Sequence, residues 1–441
     1  MRLGKRSVSI CSACLLFCGA HLIAQDDAKQ RQDDAKQRAK AVRDYAKGAT
    51  SDIIPRLEPY LADPDVDVRR EAVKAIVDIG TQRSLDALVK AAADNDPEIQ
   101  IRATDGMVNF YVPGYVKTGL TASLRRVGTS IKGKFTDTND LVVDPYFQVR
   151  PEVIAALGRI ARGGASLEAR ANAARAVGIL RGREAIPDLE EALRSKDTQL
   201  IYESLVAIQK IREPSAGPKI AFLLRDLDEK VQTTAIETTG LLQNRQAIPD
   251  LRDVLDKSHK MPVKRAALTA LAQMPEEQLH GVYLAYLDNK DDGLREAAAE
   301  GLGRYMNQED RPKVEAAFMD EKKTGPRLSQ AFALVELGKR ETGEFDPLRY
   351  LVNNLNSSGY RGVARPYLIE LARNPEIRKA LYPILNESSA TKDEKTGLAE
   401  VLAATGDQES IAPLETLSHD PDNEIAQAAL RALKNLRARL P

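Results

Sequence analysis

The sequence predicts an all-α fold built from one repeated helical hairpin, and three observations carry that prediction. The string AIPDL occurs at Ala185–Leu189 and again at Ala247–Leu251, 62 residues apart, with Ala216-Gly217-Pro218-Lys219-Ile220 midway. Pro187, Pro218 and Pro249 are therefore 31 residues apart, and each opens an apolar-periodic run at the first-turn position where a missing N–H costs nothing. The composition agrees: hydrophobic residues make up 43% of 441, aromatics only 5%, and Trp is absent. A core of Leu, Ala, Ile and Val suits close-packed helices better than sheets. Lys+Arg and Asp+Glu are 64 each, mixed throughout, which excludes a polycationic nucleic-acid binder and an acidic disordered chain.

Taken in chain order, the first element is an address. Arg2, Lys5 and Arg6 form a basic start, Ser7–Ala24 carries no charge, and polarity returns at Gln25-Asp26-Asp27. A basic region, a short apolar region and a small residue before a polar start describe a secretory signal over residues 1–24. The run is shorter than the roughly 20 apolar residues of a membrane span. An uncleaved anchor and a lipoprotein, the latter through Cys14 or Cys18, are the alternatives. Cleavage after Ala24 removes Cys11, Cys14 and Cys18, leaving no thiol nucleophile, disulfide or Cys metal ligand. The expected location is then periplasmic or extracellular.

Residues 25–50 read as a polar spacer, because QDDAKQR occurs twice, at Gln25–Arg31 and Gln32–Arg38, with no Leu, Ile, Val or aromatic residue to bury. From Ser51 to Pro441 the chain divides into roughly eleven units of helix, turn, helix. Ile186, Leu189 and Leu193 mark one helix face; Leu200, Ile201, Leu205, Ile208 and Ile211 mark the next helix. The turns read Asp63-Pro64-Asp65, Asp96-Pro97-Glu98 and Asp420-Pro421-Asp422, where an Asp can accept hydrogen bonds from the free N–H groups of the second helix. That helix often opens with an aliphatic residue and Arg, as in Val68-Arg69, Ile101-Arg102, Val149-Arg150 and Leu294-Arg295. It closes near Gly80, Gly182, Asn244 or Gly406, residues suited to the left-handed position after a helix end.

These turns, the Val-Arg opening and the Ala-rich second helix resemble HEAT repeats, and the short period resembles the subclass first associated with phycobilisome lyases. The resemblance implies a right-handed α-solenoid with an extended concave surface. About function it implies a scaffold or adaptor, with a few chromophore-attaching enzymes in the subclass. Arg69, Arg102, Arg150, Arg170 and Arg295 recur near the structural period, so they are expected as ties between repeats rather than as an anion-binding groove.

Between residues 113 and 147 the period fails. Tyr115–Phe135 carries Lys117, Arg125, Arg126, Lys132 and Lys134 with no acid, and Leu120, Leu124, Val127, Ile131 and Phe135 form a narrow apolar stripe. Three readings follow: a helix packed on the solenoid, a docking element for an acidic partner, or an interfacial helix on anionic lipid. The five basic residues are the candidate partner contacts. Gly128–Lys134 matches seven letters of a phosphate-binding loop, but Phe135 stands where Ser or Thr must hold magnesium. Asp137–Asp140 resembles part of a calcium loop without its Gly and distal Glu. His259, His280 and His419 lie in separate repeats, outside any metal-ligand spacing. The sequence thus predicts an exported, non-enzymatic scaffold without cofactor, metal or nucleic acid, binding another protein through its concave face. A lyase-like accessory enzyme and a membrane-surface adaptor are the alternatives.

Overall fold

The computed structural model describes residues 30, 32–48, 50–115, 141–144 and 147–440. Residues 1–29 and 116–140 lie outside the described residues, and with them fall the expected signal and all five basic candidates, Lys117, Arg125, Arg126, Lys132 and Lys134. The described chain contains helices and turns and no strand. It divides into two compact units, Met1–Ala216 and Gly217–Pro441, and each is a stack of helical hairpins, the α-solenoid architecture expected.

Helices of seven residues or more are numbered in order. The first unit holds α1 (residues 32–46), α2 (Val66–Ile79), α3 (Gln82–Ala91), α4 (Pro97–Tyr111), α5 (Pro151–Gly163), α6 (Leu167–Ile179), α7 (Ile186–Ala192) and α8 (Thr198–Ile211). The second holds α9 (Glu229–Leu241), α10 (Ile248–Lys257), α11 (Met261–Ala272), α12 (Glu277–Tyr286), α13 (Asp292–Tyr305), α14 (Arg311–Asp320), α15 (Thr324–Glu336), α16 (Pro347–Asn353), α17 (Arg361–Leu371), α18 (Pro375–Leu385), α19 (Lys392–Thr405), α20 (Ile411–Leu417) and α21 (Asn423–Arg439).

First and second helices of a hairpin are buried differently. In α10 only Ile248, Leu251, Val254 and Leu255 are buried, one stripe of a surface helix. In α15 every residue from Leu328 to Val335 is buried, because a neighbouring second helix packs on each side. Small residues make that stacking close. A Cβ on Gly178 would stand 2.6 Å from Ala207 Cα, one on Gly240 2.8 Å from Ala270 Cα, and one on Gly303 2.7 Å from Ala333 Cα. These three glycines recur 62 and 63 residues apart.

The turn chemistry follows the expectation at the start of the second helices. Asp65 accepts from Asp67 N–H (2.9 Å), Asp96 from Ile99 N–H (3.1 Å) and Asp422 from Glu424 N–H (2.8 Å). The helix ends differ from it. Gly80 is left-handed (φ 58°), but Gly182, Asn244 and Gly406 are not; Arg181 (52°) and Gln243 (52°) take that conformation one residue earlier. Gly182 N–H then reaches back to Val177 O (2.9 Å) and Asn244 N–H to Thr239 O (3.1 Å), the six-residue closure of a Schellman end. Gly182 serves packing instead, since a Cβ there would meet Ile154 Cγ2 at 2.7 Å.

Residues expected as a polar spacer are partly built into the stack. Ala35, Ala39 and Val42 of α1 are buried, and Arg38, inside the second QDDAKQR copy, bonds Asp63 through Nε (2.7 Å) and Nη2 (3.0 Å). Residues 141–144, within the repeat-breaking segment, lie against the stack. Val143 N–H donates to Ile179 O (2.8 Å) at the end of α6, and Lys210 donates to Leu141 O (3.1 Å). Arg150 N–H donates to the Tyr111 hydroxyl (3.1 Å), joining the two sides of the insertion.

Candidate interaction surface

The side chains that link one hairpin to the next are set by distance from a helix cap. Four residues after its Asp65 cap, Arg69 donates to Asp94 (2.7 and 3.2 Å) and to its own turn at Asp63 O (3.0 Å). Arg295, four after Asp291, does the same with Glu321 (2.7 and 3.1 Å) and Asn289 O (2.8 Å). In both cases the acceptor lies in the turn ahead of the next second helix. Asp94 also takes Asp96 N–H (2.8 Å), and Glu321 takes Lys322 N–H (3.0 Å) and Lys323 N–H (2.9 Å). The guanidinium thus ties a second helix to the cap of its successor, and the charge-assisted fork suits that geometry.

The other three expected ties are placed differently. Arg102 bonds Glu98 within α4 (3.0 Å). Four residues after Asp96 stands Gln100, which donates to Asp94 O (2.7 Å) and accepts from Ala165 N–H (2.8 Å), so the cap register gives the tie to Gln100. Arg150 is itself the cap residue of a first helix and reaches back to Asp86 (2.7 Å). Arg170 is in register after Ser166 but bonds Ala161 O in its own hairpin (3.1 Å), and in the turn ahead Ser195 stands at the position that Asp94 holds ahead of Arg69. Sequence reasoning missed Arg70–Asp96 (2.7 Å), Arg265–Asp291 (2.6 Å) and Lys395–Asp420 (2.8 Å), which repeat the same one-unit step. A search for basic residues four and five after each Asp cap would have found Arg70.

Two polar groups join second helices, one buried and one half-buried. In the first unit, Arg175 of α6 meets Glu203 of α8 (2.7 and 3.0 Å), and Gln199 also donates to Glu203 (2.7 Å). In the second unit, Arg304 of α13 and Glu370 of α17 reach across α15 to a two-bond pair (2.8 and 2.9 Å). Beneath it, Phe332 stacks on Tyr367 (4.6 Å between centroids), whose hydroxyl lies 2.9 Å from Ser329 Oγ. Burial would lower the Arg304 pKa, but Glu370 and Glu300 together hold it above the ordinary value.

Other carboxylates on the second helices have no such partner. Glu237 of α9, Glu296 of α13 and Glu336 of α15 are exposed or half-buried and make no hydrogen bond or ion pair with another described residue. Desolvation by burial pushes the carboxyl pKa of all three upward, and for Glu296 the neighbouring Asp292 and Glu300 add to it. Glu237 combines an open accessible surface with protein close around it.

A cavity of about 730 Å³ opens between α12, α13, α14 and α15, where Asp288, Arg295, Lys313, Asp320, Glu321 and the buried Gln330 line it. His280 Nε2 lies 2.8 Å from Asp310 and its ring stacks on Tyr305. Among the described residues no group of three His, Cys, Asp or Glu could hold a metal ion.

Residues 28–107 and 218–280 match HEAT repeats, and residues 169–195 match the PBS lyase HEAT-like repeat. Over those residues the chain carries HEAT repeats. No curated protein matches it. Among solved structures, this chain is similar to an engineered protein (18% identity, 87% of this chain and 98% of that one, TM-score 0.32). It is similar to human deoxyhypusine hydroxylase in complex with glycerol (19%, 65% and 97%, TM-score 0.27). It is also similar to the complex of CpcE and CpcF of phycocyanin lyase from Nostoc sp. (18%, 67% and 91%, TM-score 0.30).

Proposed function

We propose that this HEAT-repeat chain is a non-enzymatic scaffold that binds another protein across the face of its second helices. The carrying observation is the set of unpartnered, desolvated carboxylates Glu237, Glu296 and Glu336 on that face. A carboxylate crowded by protein and left without a donor is costly in its charged form, and a Lys or Arg from a docking partner relieves that cost. The opposite arrangement holds for the repeat arginines, whose donors are taken up by the next turn.

Export belongs to the same proposal, supported by the basic start and uncharged stretch of residues 1–24, which puts the partner in the periplasm or outside the cell. No helix among the described residues is long and apolar enough to cross a membrane.

Photo-crosslinking tests the face. A photoreactive residue is placed at position 296 or 336 on the second helices, and at exposed Lys313 on first helix α14 as comparison. The proposal expects one protein recovered from positions 296 and 336 and lost from both on charge reversal at Glu237. Equal recovery from position 313 would refute it.

A further inference from the structure

Arg327 occupies the tie position of α15 without a tie. It stands four residues after Lys323, as Arg69 stands after Asp65 and Arg295 after Asp291. Those two arginines spend their donors on a carboxylate ahead and a turn carbonyl behind. Arg378 of α18 follows Asn374 by the same step and likewise takes Asp407 ahead and Ala372 O behind. The corresponding turn ahead of Arg327, Asn354–Tyr360, reads NLNSSGY and contains no acidic residue. Among the described residues no acceptor bonds the Arg327 side chain, and its buried Nε has no partner there.

What surrounds the guanidinium is aromatic. Its central carbon lies 4.8 Å from the Phe318 ring centroid of α14 and 5.0 Å from that of Tyr350 of α16. The two rings meet edge to face, 5.8 Å apart. Aromatic faces attract the cation and fix its plane, yet they accept none of its five N–H donors. A guanidinium oriented in this way with its fork empty matches a carboxylate, whose two oxygens accept parallel N–H bonds. Lys322 and Lys323 precede the helix, and the first turn of α15, unlike those of α13 and α19, carries no acid. The half-exposed side chain leaves the open end reachable from solvent.

We propose that Arg327, held between Phe318 and Tyr350, is a carboxylate-binding site that receives an acidic side chain of the partner protein. The partner supplies in trans what Asp94 and Glu321 supply in cis to the sister arginines. This assignment rests on the scaffold reading for its source of carboxylate, but not for its chemistry.

The test uses the full chain and two probes: a fluorescein-labelled Glu-rich decapeptide followed by anisotropy, and free glutarate followed by competition and by thermal shift at constant ionic strength. Wild type is expected to bind both. Arg327→Met is expected to weaken binding at least tenfold, Arg327→Lys to fall between, and Lys313→Met, which removes an equal charge on neighbouring α14, to change it less than threefold. A urea midpoint accompanies each variant. Because Arg327 lacks an acceptor, Arg327→Met should leave the midpoint unchanged, whereas Arg295→Met should lower it. Glutarate bound through Arg327 without the peptide upholds the site and fails the scaffold reading. Equal binding by Arg327→Met and Lys313→Met, absence of binding to wild type, or a midpoint loss in Arg327→Met matching Arg295→Met overturns the assignment.

Discussion

Replacing Gly178 with Ala tests the stacking of second helices because two known effects oppose each other there. Ala is favoured over Gly in a helix interior by about 1 kcal/mol, so propensity alone predicts stabilisation. The added methyl, however, would stand 2.6 Å from Ala207 Cα and 2.9 Å from Ala207 Cβ on α8. Carbon atoms rest at about 3.5–4.0 Å, so α6 and α8 must separate by roughly 1 Å or shift register. These neighbours include backbone, which cannot swing aside as a long side chain can. Overpacking of this kind costs about 1–3 kcal/mol, and opening the helices also loosens the buried Arg175–Glu203 pair between them. The net expectation is destabilisation by about 1–2 kcal/mol once propensity is subtracted. Gly281 of α12 provides the opposite control, since a Cβ there meets nothing within 4 Å. Gly281→Ala should therefore stabilise by up to about 1 kcal/mol. Urea denaturation followed by far-UV circular dichroism measures both. If Gly178→Ala raises the midpoint as Gly281→Ala does, the close-approach argument is wrong.

Further outcomes follow from other parts of the stack. Met306, exposed and left-handed at φ 57°, should tolerate Gly with a gain of about 0.5–1 kcal/mol in chemical denaturation, because a side chain is costly in that conformation. Arg175→Met should cost about 3–5 kcal/mol by stranding buried Glu203, and adding Glu203→Met should recover most of it, a double-mutant cycle that a surface pair would not show. Burial raises the Glu296 carboxyl above its ordinary 4.5, so the native state holds that proton more tightly and loses stability as pH rises through this range. Glu296→Gln should be more stable than wild type at neutral pH and equal to it below 4.5, as read from thermal midpoints across pH. The sign reverses at Asp291, which the Arg265 hydrogen bond holds below its ordinary 3.8: its contribution is present above that value and lost as pH falls toward the folded one. Asp291→Asn keeps a capping residue and should flatten this acid limb.

The helix starts were legible in the sequence because capping is a local contract. Asp65, Asp96 and Asp422 bond N–H groups two or three residues on, and nothing distant decides the outcome. The ends were less legible for a reason visible at Gly182. A glycine after a helix suggests the left-handed position, but here it makes room for Ile154 of another helix while Arg181 carries the strained backbone. A close approach from elsewhere in the stack leaves no mark on neighbouring residues. The helical character of residues 32–46 was obscured similarly. Two Ala residues and one Val look too few to bury, yet they suffice where a helix lies against a finished hairpin and Arg38 is pinned by Asp63.

The ties show where a pattern search on residue type and a count from the cap part company. An aliphatic–Arg dipeptide selects Arg102 and Arg150, but the geometry counts from the cap, because the cap fixes where the helix axis begins and therefore which side chain rises toward the next turn. By that count Gln100 replaces Arg102, and Arg70 and Arg265 fall one residue further along the same edge. The count also separates two kinds of exception. Arg170 has the right register and a Ser in the turn ahead, and it turns back to satisfy itself on Ala161 O. Arg327 has the right register and an acid-free turn ahead, and it does not turn back; two aromatic rings hold it in place instead. A repeat protein whose ties all closed would have no reason to keep a guanidinium caged and unbonded. Function in such a stack is therefore to be sought where the repeat supplies one half of an interaction and omits the other, as at Arg327 and at the unpartnered carboxylates of Glu237, Glu296 and Glu336.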